Sequence, residues 1–149
     1  MEKLRKIKFR GKSIYDWENH KWIYGYYVHH DYREVDGGMD GTIPERNVDI
    51  IISSEEHFVE NKVLSETVTE FTGAYDCNGQ EIYEGDIVEF AGKKLKVEWC
   101  ESLCGFILDS SRCKYPYQLR YQEDCKVIGN MFDNPGVLFW GKGGTMTND

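Results

Sequence analysis

Cysteines and histidines are the residues of this 149-residue chain best suited to metal or thiol chemistry. Cys100 and Cys104 lie four residues apart, whereas Cys113 and Cys125 follow singly. A structural zinc ion needs four such ligands, usually in two closely spaced pairs. Because only one close pair is present, we expect the cysteines to be small thiols that bind no metal and no cofactor. If a metal were bound, Cys100 and Cys104 would be its candidate ligands.

Enzymatic chemistry has no recognisable motif in the chain. A nucleophilic site would place a Cys or Ser beside a His, with a third group orienting the base, and only folding could assemble it. The sequence contains no G-x-S-x-G, H-E-x-x-H, P-loop or helix-opening dinucleotide motif. We therefore expect a protein that is not an enzyme.

Two segments place carboxylates near a glycine. Glu84 and Asp86 flank Gly85, but paired carboxylates divide acid and base roles only when their environments separate their pKa values. The segment from Asp76 to Gly79 is similar to the start of a calcium loop, yet position 12 counted from Asp76 is Ile87 rather than Glu. We interpret both segments as turns, since Asn-Gly is the strongest signal of a two-residue hairpin.

Charge is unevenly distributed along the chain, whose formal net charge is −8. A basic arm at residues 1–12 precedes an acidic body. The basic residues of this arm are Lys3, Arg5, Lys6, Lys8, Arg10 and Lys12. The arm could contact the phosphates of a nucleic acid. We favour an edge strand whose outward basic side chains discourage pairing with other chains.

Aromatic residues make up 14% of the chain. Tyrosines on a small barrel could stack single-stranded bases, but such platforms usually lie in a positive groove and this body is acidic. Tyr24 and Tyr26 share one face of a strand and Tyr27 the other, so at least one set belongs to the core. The apolar segment that ends in Phe139 and Trp140 must pack on the barrel or on a neighbouring subunit, so association is a second expectation.

The composition predicts that mainly β structure positions these residues. Aromatic and β-branched residues suit strands, and 15 glycines suit frequent turns. The predicted strands are Ile7–Arg10, a hairpin over Ile14–Val28, Asn47–Ser53, Val63–Gly73, a hairpin of Ile87–Phe90 with Leu95–Trp99, Phe106–Leu108, Tyr117–Tyr121 and Lys126–Asn130. A capping box at Ser53 and Glu56 indicates one or two helical turns within 53–62. The glycine-containing segment 31–44 is expected to be an exposed loop.

Cellular location is also constrained by the sequence. No stretch approaches the roughly 18 consecutive apolar residues of a membrane span, and the N-terminus lacks the layout of a signal peptide. Five cysteines are an odd number, which argues against a disulfide framework. We expect a cytoplasmic protein with reduced thiols and no membrane contact.

Several segments occur in a recognisable order. They are Ile7–Arg10, Trp22–Gly25, Glu66–Gly73, Asp76–Gly79, Glu81–Val88, Val97–Trp99, Gly105–Phe106 and Val127–Pro135. This order resembles the YopX family of phage and prophage proteins. The resemblance implies an SH3-type barrel in the C-terminal part and a bacterial host cell. The family has no assigned biochemical function, so no catalytic residue is carried over.

Together these observations predict a mainly β protein. An N-terminal antiparallel β subdomain, residues 1–68, is expected to pack on a C-terminal SH3-like barrel, residues 69–140, followed by a frayed tail at 141–149. We predict a non-catalytic protein-interaction or assembly module that binds an unknown protein or a second copy of itself. The alternative is a nucleic-acid-associated accessory protein that uses the basic arm.

Overall fold

β-strands dominate the computed structural model, which describes residues 4–15, 19–31, 47–53, 57–109 and 117–138. Within these ranges there are eleven strands and three short 3₁₀ helices, at Ser65–Thr67, Leu119–Asp124 and Pro135–Leu138. The strands are β1 (Phe9–Lys12), β2 (Trp22–Asp31), β3 (Asn47–Ser53), β4 (Val59–Lys62), β5 (Thr69–Tyr75), β6 (Glu81–Tyr83), β7 (Asp86–Phe90), β8 (Lys93–Cys100), β9 (Gly105–Asp109), β10 (Tyr117–Gln118) and β11 (Lys126–Asn130).

The strands form two antiparallel sheets, in the orders β4-β3-β2-β1-β5-β6 and β10-β9-β8-β7-β11. The predicted mainly β class is confirmed. Neither sheet closes on itself among the described residues. The SH3-like barrel therefore stays a prediction.

The chain divides into two compact units, residues 1–70 and residues 71–149. The division falls inside β5, whose first two residues pair with β1 and whose later residues pair with β6. The first unit contains β1 to β4, and the second contains β6 to β11. The predicted tail at 141–149 and the predicted loop around Gly37 lie outside the described residues.

In the first unit, β1 lies between β2 and β5. Phe9 pairs with Gly25 of β2 on one side and with Glu70 of β5 on the other. The edge-strand interpretation of the basic segment is therefore wrong for β1, because both of its edges are used. The basic side chains of β1 therefore belong to a central strand and do not shield an exposed sheet edge.

The predicted first strand of the hairpin over Ile14–Val28 is wrong for Ile14 and Tyr15, and its remaining residues, 16 and 17, lie outside the described residues. Ile14 and Tyr15 form a bend, and β2 pairs with β1 instead. The N–H of Ile14 donates to the carbonyl oxygen of Lys62 rather than to a hairpin partner. Tyr15 is 71% exposed, so its apolar ring does not contribute to the core that an amphipathic strand would need.

The predicted helical turns within 53–62 are wrong for Val59–Lys62, which form β4. This strand pairs with β3, and Ile51 lies opposite Asn61. Hydrogen bonding to a neighbouring strand satisfies the backbone that a helix would otherwise satisfy internally. Glu56 of the capping box lies outside the described residues.

The second unit has the clearest local signals and the larger buried cluster. The predicted β7–β8 hairpin is confirmed, and Ala91 and Gly92 both have positive φ, 49° and 74°. Positive φ at both central positions is the signature of a type I′ turn. The core consists of Ile82, Val88, Leu95, Val97, Leu108, Leu119 and Cys125. The predicted strand over Tyr117–Tyr121 is shorter than expected, since a 3₁₀ helix begins at Leu119.

Candidate functional site

One face of β2 carries large side chains that remain in contact with solvent. Successive residues of a strand point to opposite faces, so Trp22, Tyr24, Tyr26 and Val28 share a face. Tyr24 is 37% exposed, Tyr26 56% and Val28 40%. We call these four residues the aromatic face. Adjacent apolar side chains that remain exposed in this way are typical of a binding surface.

Basic side chains of β1 lie against the aromatic face. The strand register places Arg10 opposite Tyr24 and Lys12 opposite Trp22. The Arg10 guanidinium lies 4.6 Å from the centre of the Trp22 ring, and Lys12 Nζ lies 5.4 Å from the same centre. Lys8 Nζ lies 5.5 Å from the centre of the Tyr24 ring. These cation–π contacts place positive charge against two of the rings. We call Lys8, Arg10 and Lys12 the cationic rim.

β3 extends this surface on the other side of β2. Ile52 pairs with Tyr26, and Ile50 pairs with Val28. Both isoleucines are half-buried. The strand order therefore produces a gradient across the sheet face, from cations on β1 through aromatic side chains on β2 to aliphatic side chains on β3.

The predicted phosphate-binding residues of the basic arm do not share one environment. Arg10 is only 5% exposed, and its Nε donates to Thr69 Oγ1 at 3.1 Å. Arg5 Nη2 forms an exposed ion pair with Glu70 Oε1 at 3.3 Å. Lys6 is exposed and precedes β1, and Lys3 lies outside the described residues. The structure thus brings Lys8 and Arg10 onto the aromatic face and engages Arg5 elsewhere.

A hydrogen-bonded cluster on the opposite face of β2 and β3 was missed by sequence reasoning. Tyr27 Oη donates to Asp49 Oδ1 at 2.7 Å, and His29 Nδ1 lies 2.6 Å from the same oxygen. Burial alone would raise the pKa of Asp49. Hydrogen bonds from Ser65, His29 and Tyr27 outweigh burial, so the pKa of Asp49 lies below its ordinary value. Only the pairing of His29 with Asp49 across two strands reveals this cluster.

The metal candidates Cys100 and Cys104 lie at the two ends of the turn between β8 and β9. Cys100 Sγ lies 3.2 Å from Ser102 Oγ, and Cys104 Sγ donates to the carbonyl oxygen of Glu101 at 3.4 Å. The hydrogen bond with Ser102, together with one from the backbone of Leu103, lowers the pKa of Cys100. In the described part of the chain, no three His, Cys, Asp or Glu side chains form a group that could hold a metal ion.

Asp76, the first residue of the calcium-like segment, holds a turn. Its Oδ1 accepts from the N–H groups of Asn78 and Gln80 at 2.8 and 2.9 Å, and its Oδ2 accepts from Val127 N–H at 2.9 Å. Burial raises the pKa of Asp76, but these three hydrogen bonds outweigh it and the pKa is lowered. Both carboxylate oxygens are thus engaged by backbone donors, as the turn interpretation expects.

A cleft of about 460 Å³ lies in the second unit. It is lined by side chains that include Thr72, Leu103, Phe106, Gln118 and Leu119, and none of its lining residues is charged. The predicted interaction residues Phe139 and Trp140 lie outside the described residues. No helix in the described ranges is long and apolar enough to cross a membrane.

A family model described as YopX protein matches residues 8–139. The chain belongs to the YopX family. The resemblance found in the sequence is thereby confirmed over most of the chain. This YopX-family chain is also similar to the crystal structure of protein EF1440 from Enterococcus faecalis, with 20% sequence identity and a TM-score of 0.44, over 89% of this chain and 98% of that chain. No curated protein matches the sequence.

The YopX motif around Gly129 and Asn130 has a structural role. Asn130 Oδ1 accepts from the N–H groups of Phe132 and Asp133 at 3.0 and 2.8 Å. A Cβ atom added at Gly129 would lie 2.8 Å from Asn134 Oδ1, so a larger residue there would displace the Asn134 side chain. In the same way, Asp86 Oδ2 accepts from Tyr83 N–H at 2.8 Å. Asn130 and Asp86 thus each hold a local turn.

Proposed function

We propose that this YopX-family protein is a non-catalytic interaction or assembly module that binds an apolar, acidic protein segment on the aromatic face. The observation that carries this proposal is the exposure of Tyr24, Tyr26 and Val28 side by side on β2. Monomeric proteins rarely leave contiguous apolar side chains exposed unless they bind something. Tyrosine, tryptophan and arginine are also the residues that contribute most to the affinity of protein interfaces.

The cationic rim defines the chemistry of the segment. Lys8 Nζ lies over the ring of Tyr24 and Lys12 Nζ over the ring of Trp22, so positive charge lies next to the exposed side chains of the aromatic face. Complementary charge at the rim speeds association and selects among partners. A segment that combines aromatic or aliphatic side chains with neighbouring Asp or Glu residues fits both parts of this surface.

Nucleic acid is the less favoured partner. Base stacking requires open ring faces, whereas cations lie over the rings of Trp22 and Tyr24. Arg10, one of the predicted phosphate ligands, is only 5% exposed.

The same proposal includes three further properties: the protein is not a catalyst, it comes from a phage or prophage, and it lies in the bacterial cytoplasm. The sequence contains no serine-hydrolase, zinc-protease, P-loop or dinucleotide motif. Family membership supports the origin that the resemblance implies. A closed SH3-like barrel in the second unit is a further part of it. The function of the aromatic face does not depend on any of these.

Peptide selection tests the proposal directly. Purified full-length protein is used to select binders from a random displayed-peptide library, with counter-selection on a Tyr26→Thr, Val28→Thr double variant, since threonine preserves strand propensity. We expect enriched peptides that combine apolar residues with Asp or Glu. The double variant should bind the synthetic peptides about tenfold more weakly.

Tyr15→Thr is the matched control. Tyr15 is in the same unit and is 71% exposed, but it lies outside the aromatic face, so this variant should bind like the wild type. Equal binding by the double variant, or no enrichment at all, would overturn the proposal. A labelled oligonucleotide that binds tightly at low salt and is lost in the double variant would establish the nucleic-acid alternative instead, and self-association lost in that variant would identify a second copy as the occupant.

A further inference from the structure

Two cysteines of the second unit meet where the β5–β6 turn approaches the start of β11. The N–H of Cys77 donates to the carbonyl oxygen of Cys125 at 2.8 Å. Cys77 is exposed, whereas Cys125 is buried in the core. We propose that Cys77 and Cys125 form a thiol–disulfide exchange site, which reacts with low-molecular-weight disulfides and closes into an intramolecular disulfide.

A backbone hydrogen bond places the two residues side by side. The N–H of Cys77 donates to the carbonyl oxygen of Cys125 at 2.8 Å, although neither residue belongs to a strand. Disulfides span Cα separations of about 4.4 to 6.8 Å. Closure of a bridge requires the exposed Cys77 side chain and the core side chain of Cys125 to rotate toward each other.

Asp76 keeps the two cysteines together. Its carboxylate accepts from Asn78 and Gln80 within the turn and from Val127, two residues after Cys125. One side chain thus fastens the turn that contains Cys77 to the strand that follows Cys125. The proximity of the two residues is a consequence of this anchor.

The difference in exposure assigns the two thiols different roles. Burial raises the pKa of Cys125 to about 11, and the negative charges of Asp124, Cys77 and Asp76 act in the same direction. Cys125 is therefore a poor first nucleophile at neutral pH and cannot be reached by an external disulfide. Cys77 is exposed and reacts first, and Cys125 resolves the product.

The reaction balances with a small disulfide, written RSSR, as the oxidant. The Cys77 thiolate attacks one sulfur of RSSR, which forms a mixed disulfide and releases one RS⁻. The Cys125 thiolate then attacks the Cys77 sulfur, which forms the internal disulfide and releases the second RS⁻. The protein loses two electrons, RSSR gains them, and the two thiol protons leave on the two RSH molecules.

The test uses the full-length protein and oxidised glutathione. After incubation and alkylation of remaining thiols, peptide mapping by mass spectrometry without reduction should show a peptide pair linked through Cys77 and Cys125. The rate of closure should rise with pH above neutrality, because the resolving thiol must ionise. The oxidised protein should also unfold at a higher urea concentration, since the bridge restricts the unfolded chain.

Variants separate this site from the exposed thiols at the β8–β9 turn. Cys125→Ala should accumulate glutathione on Cys77, and Cys77→Ser should leave Cys125 unmodified. The Cys100→Ser, Cys104→Ser control should form the Cys77–Cys125 link at the wild-type rate. The proposal is overturned if the wild-type peptide map shows that Cys125 stays reduced, or that oxidation joins only Cys100 to Cys104. This outcome is read from the wild-type protein and does not depend on whether a core variant folds.

Discussion

Arg10 shows how neighbouring side chains change the role of a charged residue. As part of a basic arm it is a candidate phosphate ligand, but its guanidinium stacks on Trp22 and its Nε donates to Thr69. A buried guanidinium with these partners positions the aromatic ring and no longer competes for external phosphate. The neighbouring Lys8 and Lys12 are half-buried and keep an amphipathic role at the edge of the same rings.

Asp49 leads to a prediction about pH. Its pKa is lowered in the folded protein, so the ionised carboxylate stabilises the fold above the unfolded value of about 3.8. This contribution disappears as the pH falls through the lower folded value. We expect Asp49→Asn to reduce the free energy of unfolding by about 1–3 kcal/mol at neutral pH, with the difference from wild type narrowing below about pH 4.

Urea unfolding across a pH series measures this effect. Glu66→Gln is the matched control, because Glu66 is an exposed carboxylate in the same unit, and it should change stability little at any pH. A deficit of Asp49→Asn that stays constant down to strongly acidic pH would show that the hydrogen-bonded carboxylate charge is not its cause.

At the scale of elements, the turns follow from short sequence signals. A turn at 76–80 produces the predicted reversal between β5 and β6, but it is longer than the predicted two-residue Asn-Gly hairpin, because Gly79 has a positive φ and Asn78 does not. Ala91-Gly92 produces the reversal between β7 and β8. Each depends on residues adjacent in the chain. The strand at Val59–Lys62 shows the opposite case, because pairing with β3 overrides a local helical signal.

Gly79→Ala tests the backbone requirement of the first turn. Gly79 has a φ of 77° and no atom within 4 Å of an added Cβ, so the cost is conformational rather than steric. We expect a loss of about 1 kcal/mol in the free energy of unfolding, measured in urea. Gly105→Ala is the control, since its Cβ would meet only the Leu103 carbonyl oxygen at 3.7 Å. Equal losses in the two variants would contradict this explanation.

At the scale of the whole molecule, we expect net charge to oppose contact between copies of the chain. The formal net charge is −8 at pH 7 and the sequence pI is about 5.0. Self-repulsion at neutral pH opposes contact between apolar surfaces and disappears near the pI. We expect sedimentation velocity to show more association near pH 5.0 than at pH 7. The Tyr26→Thr, Val28→Thr variant should associate less, and an unchanged rise in that variant would show that the aromatic face takes no part.

The β class, the family and the positions of the turns could be predicted from the sequence. Alternation of side chains, glycines at turn positions such as Gly79 and the order of motifs are properties of short segments, and they are present before the chain folds. About half of the candidate surface was also visible, since Tyr24 and Tyr26 were predicted to share a face.

Tertiary structure alone decided which residues meet. Lys8 and Arg10 reach the rings of β2, and His29 reaches Asp49, because neighbouring strands pair in one register. Cys77 meets Cys125 because a backbone hydrogen bond joins a turn to a segment far along the chain. A shift of one residue in that register would turn every side chain to the other face of the sheet. Such pairing depends on the burial and loop closure of the whole chain, which no local pattern encodes.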